Sequence, residues 1–412
     1  MKYSEQLRYG ANIADWRQGI DVERLRRERQ EKARKGLRDH GVAAFLATRS
    51  DNTRYLVGLR GPEFQPALWY TLFPAESEPI VFHHAGWLPI YPQEAPWVKE
   101  WRLARAWLSR GPGEEASRLE AERFAREVKQ ELVAKGIENE KLALLGFDGL
   151  AQQALRDVGV TVVDGWPIML DITKTKTVDE ISCLKMAFDA TDAGWYRTQE
   201  LLKPGSIDVD VSAEAMLAAH KAGAEETPAG HLRSGIISFD RAFAGTGRII
   251  NYGDLVYGSY CQVKYMGYNT CYYRTFSVGK EPDAKVKSWY SELVDRLNNV
   301  IEAIKPGGST AEAAAHFAPA SKWGYKEEAE LLTLEIGHGI GLYNYGYPIV
   351  NRQWSLDHPQ EFEVGMTLAV EGREGVPGEG GVRLEDAVVI TENGAELLDR
   401  WPRDEILVSP RG

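Results

Sequence analysis

Between residues 21 and 41 the run DVERLRRERQEKARKGLRDHG sets Val22, Leu25, Ala33 and Leu37 near helical spacing amid dense charge. It stops on a glycine, and so predicts an amphipathic surface helix. Three short apolar runs follow, 43–48 (AAFLAT), 69–74 (WYTLFP) and 79–84 (PIVFHH), separated by turn-rich pieces, and these predict strands. A charged helix is expected around 115–135, strands over 142–147 and 160–163, and a helical piece, LAQQALRDVG, between those two strands. Strands alternating with helices make this part of the chain α/β.

The polar, β-branched segment DITKTKTV at 171–178 interrupts the pattern, and a domain boundary is placed there, dividing the chain into residues 1–172 and 173–412. A long helix is predicted over 179–202, ending at Lys203-Pro204-Gly205, and a second over 211–222. Strands are expected at 255–262 and 265–276, helices at 284–304 and 310–321, and strands at 366–371 and 382–391. Antiparallel-looking strand pairs alternating with helices indicate an α+β second domain.

Length agrees with this division, because 412 residues exceed what one hydrophobic core usually serves. Apolar residues at 43% and charged residues at 26% describe a globular chain rather than a disordered one. The 49 basic and 60 acidic side chains give a net charge of −11, with both signs scattered, so no nucleic-acid partner is expected. Cys183, Cys261 and Cys271 are too few for a disulfide framework, which favours a reducing compartment. The charged N-terminal stretch lacks the apolar core of a secretory signal, and no run approaches the roughly 18 apolar residues of a membrane span. A cytoplasmic protein without a membrane partner is the expectation.

Three C-terminal segments hold the candidate chemistry. In Gly337-His338-Gly339-Ile340-Gly341-Leu342 the glycines allow close backbone approach and leave the imidazole facing open space. In Val364-Gly365-Met366-Thr367-Leu368-Ala369-Val370-Glu371 an apolar strand ends in a carboxylate before GREGVPGEGG. In Gly381-Val382-Arg383-Leu384-Glu385-Asp386, period two sets Arg383 and Glu385 on one face. Each fragment alone also has a bland reading: a histidine in a glycine-rich turn, a solvated carboxylate, a cross-strand ion pair.

Taken together, in this order and spacing, these segments resemble the pita-bread superfamily that holds creatinase, the methionine and proline aminopeptidases and prolidase. The resemblance extends upstream to Gly253-Asp254-Leu255-Val256 and Arg274-Thr275-Phe276, and it points to the creatinase-like two-domain branch. It implies an α/β N-terminal domain followed by an α+β pita-bread catalytic domain. In metal-dependent members, two aspartates, one histidine and two glutamates hold a pair of metal ions that activate water. His338, Glu371 and Glu385 match the histidine and both glutamates. The aspartate positions fall on Ser259 and Cys271, and a further ligand position of the dimethylsulfoniopropionate-lyase branch falls on Cys261. Loss of those carboxylates removes most of the attraction for hard ions.

The resemblance therefore implies a metal-independent hydrolase like creatinase or ectoine hydrolase, cleaving a C–N bond in a small cationic or zwitterionic substrate. Creatine itself is not expected, because 239–252 lacks creatinase's catalytic histidine, and Tyr345 replaces a second histidine of the aminopeptidases. Glu371 and Glu385 would divide base and acid, His338 would carry a proton or donate a hydrogen bond, and Arg383 would hold a substrate carboxylate. Tyr268, Tyr343 and Tyr345, with Ser259, Cys261 and Cys271, would line the substrate; aromatic faces suit cationic groups, although most such tyrosines are core residues. No cofactor is expected. The alternative is a single zinc ion held by Cys261, Cys271, His338, Glu371 and Glu385, in an Xaa-Pro peptidase-like metallohydrolase. The bland reading of the two cysteines is that of unpaired, buried, small apolar residues. A lyase of the dimethylsulfoniopropionate type and a non-catalytic binding protein complete the alternatives. A homodimer is expected from the resemblance, with the Trp- and Tyr-rich stretch 64–107 as a cover over the partner's site, and specificity is placed in loops 240–247 and 344–353.

Overall fold

A computed structural model of the chain describes residues 19–61, 68–228, 230–241 and 244–410. The N-terminal stretch read for a signal, part of the aromatic stretch at 64–67, and residues 242 and 243 of the 240–247 loop lie outside the described residues. The chain forms two compact units, Met1–Ile172 and Thr173–Gly412. No helix of the described residues is long and apolar enough to cross a membrane.

The first unit is built on one six-stranded sheet. Its strands are β1 (Ala44–Thr48), β2 (Trp69–Pro74), β3 (Ile80–His83), β4 (Glu100–Leu103), β5 (Lys141–Leu145) and β6 (Thr161–Asp164), in the order β4-β3-β2-β1-β5-β6. The predicted first helix is Val22–Asp39, capped by the Asp21 carboxylate, and its buried stripe includes Leu25, Ala33 and Leu37. Helix Glu114–Ala134 buries Ala121, Phe124, Ala125, Val128 and Leu132, an i, i+3, i+4 series that packs with Leu46, Leu72 and Leu142 of the sheet. β4 escapes sequence reading because its residues EWRL have no clean alternation.

In the second unit, helix Val178–Leu201 starts with a capping box between Thr177 and Glu180, and helix Asp208–Lys221 follows. β7 (His231–Ser234), β8 (Leu255–Ser259), β11 (Tyr273–Val278) and β17 (Leu407–Ser409) form a four-stranded sheet in the order β17-β11-β8-β7. The expected single strand at 265–276 is instead divided among β9 (Lys264–Tyr265), β10 (Tyr268–Asn269) and β11. Met266 (φ 49°) and Gly267 (φ 86°) make a tight left-handed turn that folds Tyr268 back against Tyr265.

A five-stranded sheet contains β12 (Ile336–Gly339), β13 (Gly346–Val350), β14 (Thr367–Val376), β15 (Gly380–Thr391) and β16 (Gly394–Leu397), in the order β13-β12-β14-β15-β16. Even-numbered residues of β14 and β15, Leu368, Val370, Val382, Leu384 and Val388, meet Leu293, Leu297 and Val300 of helix Ala284–Ala303 in one apolar core. Odd-numbered residues point to the other face. Two expectations need correction here. β14 does not end at Glu371, because it stays paired with β15 as far as Val376 opposite Gly380, which carries Glu371 into the middle of a strand. The helix expected over 310–321 covers only Thr310–Ala314; Pro319, lacking an N–H, cannot continue it, and a short 3₁₀ turn follows at Ala320–Trp323.

Candidate active site

Glu371 of β14 and Glu385 of β15 stand directly opposite each other in the antiparallel ladder. β12 lies on the other side of β14, with Ile336 opposite Glu371 and His338 opposite Ala369, so His338 shares the odd-numbered face with both glutamates. The glycines flanking His338 are explained by packing. A Cβ on Gly339 would collide with the Tyr347 carbonyl, and the register of β12 on β13 shifts between His338 and Gly339. The imidazole does not face open space, as the sequence suggests. It is fully buried, and the Tyr345 ring stacks on it at 4.2 Å between centroids.

The electrostatics of this face are unusual. Glu371 and Glu385 are both fully buried, and burial pushes them up, Glu371 to about 7 and Glu385 to about 8. Burial pushes His338 down, which favours the neutral imidazole. Its Nε2 lies 3.5 Å from Glu385 Oε1 without making a hydrogen bond. Both oxygens of Glu371, Oε1 of Glu385 and Nε2 of His338 are buried with no hydrogen-bond partner among the described residues. Buried acceptors left in this way cost on the order of 1–3 kcal/mol each, so a cation, a proton or a substrate donor is what the face is short of.

The segments that follow β8 and precede β11 bring the sulfurs to the same place. Ser259 pairs with Tyr273, and the bonds from Tyr260 N to Tyr272 O and from Gln262 N to Thr270 O continue that register, which sets Cys261 opposite Cys271. Their Cα atoms are 3.9 Å apart and the two cysteines form a disulfide. The expectation of unpaired apolar cysteines is therefore corrected: the register makes them a close, non-hydrogen-bonded pair, where side chains approach most nearly. The third cysteine, Cys183, is buried outside any disulfide and lies 3.9 Å from Met266 Sδ. Cys261 Sγ is 3.9 Å from Glu385 Oε2 and 3.6 Å from Ser259 Oγ.

The remaining candidates divide. Arg383 is buried on the glutamate face, 5.3 Å from the centroids of both the Tyr257 and Tyr273 rings, with no carboxylate within 4 Å among the described residues; the simple ion pair is absent. Tyr268 is buried and donates to Glu180 Oε1 at 2.9 Å, so it belongs to the frame rather than to the glutamate pair. Tyr343 is half-buried in the turn after β12. Sequence reading missed Arg241, whose guanidinium donates to the Tyr345 hydroxyl at 3.2 Å and to the Thr333 carbonyl. Burial works against its charge, but the neighbouring Glu371, Tyr273 and Tyr345 more than offset this and hold it protonated. Its only sequence signal is a position inside the loop already set aside for specificity.

One donor atom each from His338, Glu371 and Glu385 lie within 4.8 Å of one another, and so do those of Cys261, Cys271 and Glu385. Glu385 is common to both triads. Each triad contains at most two carboxylates, so neither offers the all-oxygen donor set that hard ions prefer. With the disulfide formed, His338, Glu371 and Glu385 are the ionisable donors of the face; thiolates would join them only if the disulfide were reduced.

Comparison with known proteins agrees with this architecture. The probable dipeptidase PepE of Mycobacterium bovis is 30% identical over 253 residues, 61% of this chain and 65% of its own length. The Xaa-Pro dipeptidase of Pyrococcus furiosus is 28% identical over 247 residues, 58% of this chain and 66% of its own. The matched region thus spans slightly less than two thirds of these curated relatives. Among solved structures, dipeptidase PepE from Mycobacterium ulcerans superposes with a TM-score of 0.75 at 24% identity, covering 95% of this chain and 100% of that one. The fold is accordingly an N-terminal domain followed by a pita-bread domain, and the strands bearing His338, Glu371 and Glu385 all fall within residues 182–392, just over half of the chain, which match one family description. The chain belongs to metallopeptidase family M24.

Proposed function

We propose that the chain hydrolyses the C–N bond of a short peptide, of the size of a dipeptide, at an atypical Cys/His/Glu centre. The observation that carries this reading is the convergence of buried, unsatisfied atoms of His338, Glu371 and Glu385 on one sheet face. Relatives named as dipeptidases support the substrate class. His338, Glu371 and Glu385, joined by Cys261 and Cys271 when their disulfide is reduced, are the residues that would hold an ion, which when bound would polarise the amide carbonyl and acidify water. One glutamate takes the proton of the attacking water while the other supplies one to the departing nitrogen. Arg241, at the exposed edge beside Tyr345, attracts the free carboxylate of the substrate, and Arg383, on the same face, supports the charge of the glutamate pair.

Turnover of a dipeptide panel, with and without proline in the second position, tests this, using Glu371→Gln and Glu385→Gln as controls. Each substitution should lower kcat by about 100-fold or more. Full activity in both variants would sink the assignment. Oxygen from labelled solvent should enter the acid product, whereas elimination leaves it unlabelled.

A second reading, the metal-independent hydrolase of small cationic or zwitterionic compounds, rests on a separate observation. Glu385 is raised to about 8, and a carboxyl that holds its proton at neutral pH is a general acid without help from any ion. Turnover of amidines, lactams or betaine-like compounds by chelator-treated protein, with dipeptides left intact, would favour it.

A further inference from the structure

Cys261 and Cys271 are set directly opposite each other where the chain continues the register of β8 on β11, yet Cys261 Sγ also lies 3.9 Å from Glu385 Oε2. The same pair of sulfurs thus has two mutually exclusive fates. Bonded to each other they are neutral and weak donors. Reduced, they are two thiolate ligands beside a carboxylate that already belongs to the His338 triad.

We propose that the Cys261–Cys271 pair is a redox switch on the ion affinity of the centre: the dithiol form binds one zinc ion with Glu385 and the His338–Glu371 side, and the disulfide form does not hold it firmly. This rests on the atypical Cys/His/Glu centre proposed above. The chemistry balances with a cellular dithiol as reductant. A thiolate of the reductant attacks Cys261, which is half-buried, whereas Cys271 is only 2% exposed. The Cys261–Cys271 bond breaks, Cys271 leaves as a thiolate, and the mixed disulfide is resolved by the reductant's second sulfur, whose own disulfide is the oxidised product. Two electrons and two protons have then passed to the pair, and both protons are released when the ion is bound.

Oxidation removes two of the available ligands and leaves His338, Glu371 and Glu385. Binding to that remainder should be weaker for zinc in particular, since soft sulfur donors are what distinguish zinc sites from sites for hard ions. A loss of about 100-fold or more in zinc affinity is expected, on the scale known for perturbed metal sites.

The test uses the full chain, either oxidised with a thiol oxidant and desalted, or reduced with a phosphine that is then removed, both handled without oxygen. Zinc is titrated against a chromophoric competitor, cobalt(II) is titrated as a spectroscopic substitute, and free thiols are counted in the unfolded protein. The expected result is two extra thiols, about one tight zinc equivalent and a sulfur-to-cobalt charge-transfer band, all in the reduced form only. Under reducing conditions Cys261→Ser should lower the band to about half, and Cys261→Ser with Cys271→Ser should abolish it. Equal zinc affinity in the two forms, a cobalt spectrum without the sulfur band, or failure of the oxidant to remove the two thiols would each overturn the switch. None of these readouts is turnover, so a switch that works in a protein inactive on dipeptides refutes the proposed function alone. Dipeptide hydrolysis with no difference in zinc binding refutes the switch alone.

Discussion

Replacing Arg274 with Met should destabilise the second unit by about 3–5 kcal/mol, the range found when one partner of a buried ion pair is removed. Arg274 is 1% exposed, and its Nη2 lies 2.5 Å from Asp399 Oδ1 and 3.2 Å from Asp386 Oδ1. Its other contacts are to carbonyls: Nε to Pro402 at 3.1 Å, Nη1 to Tyr273 at 2.9 Å and to Glu385 at 2.6 Å, and Nη2 to Trp401 at 3.1 Å. Methionine fills similar volume but satisfies none of these. Asp386 would keep Arg403 at 2.8 Å, whereas Asp399 would keep only the Ala387 N–H. The uncompensated charge therefore falls mainly on Asp399, which burial already pushes up to about 6. For a unit of this size, 3–5 kcal/mol corresponds to a fall in Tm of roughly 6–20 °C, read by near-ultraviolet circular dichroism. Adding Asp399→Asn to the Arg274→Met chain should recover part of the loss, because it removes the stranded charge. A fall below about 1 kcal/mol, or a double variant worse than the sum of its parts, would refute the argument that this cation holds β11 to β15.

Other outcomes follow from the same structure. Arg241→Ala should raise KM about 10-fold for substrates with a free carboxylate and leave carboxyl-blocked analogues unchanged, measured by steady-state kinetics. Tyr345→Leu removes the ring that stacks on His338 and the acceptor for Arg241, so both kcat and KM should change, the larger effect falling on KM. His83 is fully buried among the rings of Trp69, Trp87 and Tyr91, and burial pushes it down to about 4. A depressed histidine favours the folded state above the ordinary value near 6.5, and that contribution is lost as pH falls from there through about 4. Urea unfolding of the first unit should show this slope in the native chain and a flatter one in His83→Phe.

Much of this architecture is legible in the residues because burial and periodicity agree. The stripes of helices Val22–Asp39 and Ala284–Ala303 and the run of β2 announce themselves locally. The convergence of His338, Glu371 and Glu385 is legible only through resemblance, since nothing in their spacing states that three strands lie side by side. What escapes is set by pairing. β14 runs on past Glu371 through Gly372 and Gly375 because β15 is there to pair with it, and no local propensity announces that. The disulfide joins cysteines ten residues apart in sequence, and only the pairing that continues β8 on β11 sets them opposite each other. Arg241 reaches the site from a loop without periodicity, so only the folded chain reveals its neighbours.

The alternation along β14 and β15 has a historical consequence. Even-numbered side chains close the core against helix Ala284–Ala303, while odd-numbered ones, Glu371, Arg383 and Glu385, face the site. Substitutions on one side need not be felt on the other. A lineage can therefore exchange polar residues on the site face while the scaffold beneath is inherited intact. Folding exerts little veto over which reaction such a sheet carries, so ancestry preserved in the apolar residues and novelty written in the polar ones can coexist a single peptide bond apart.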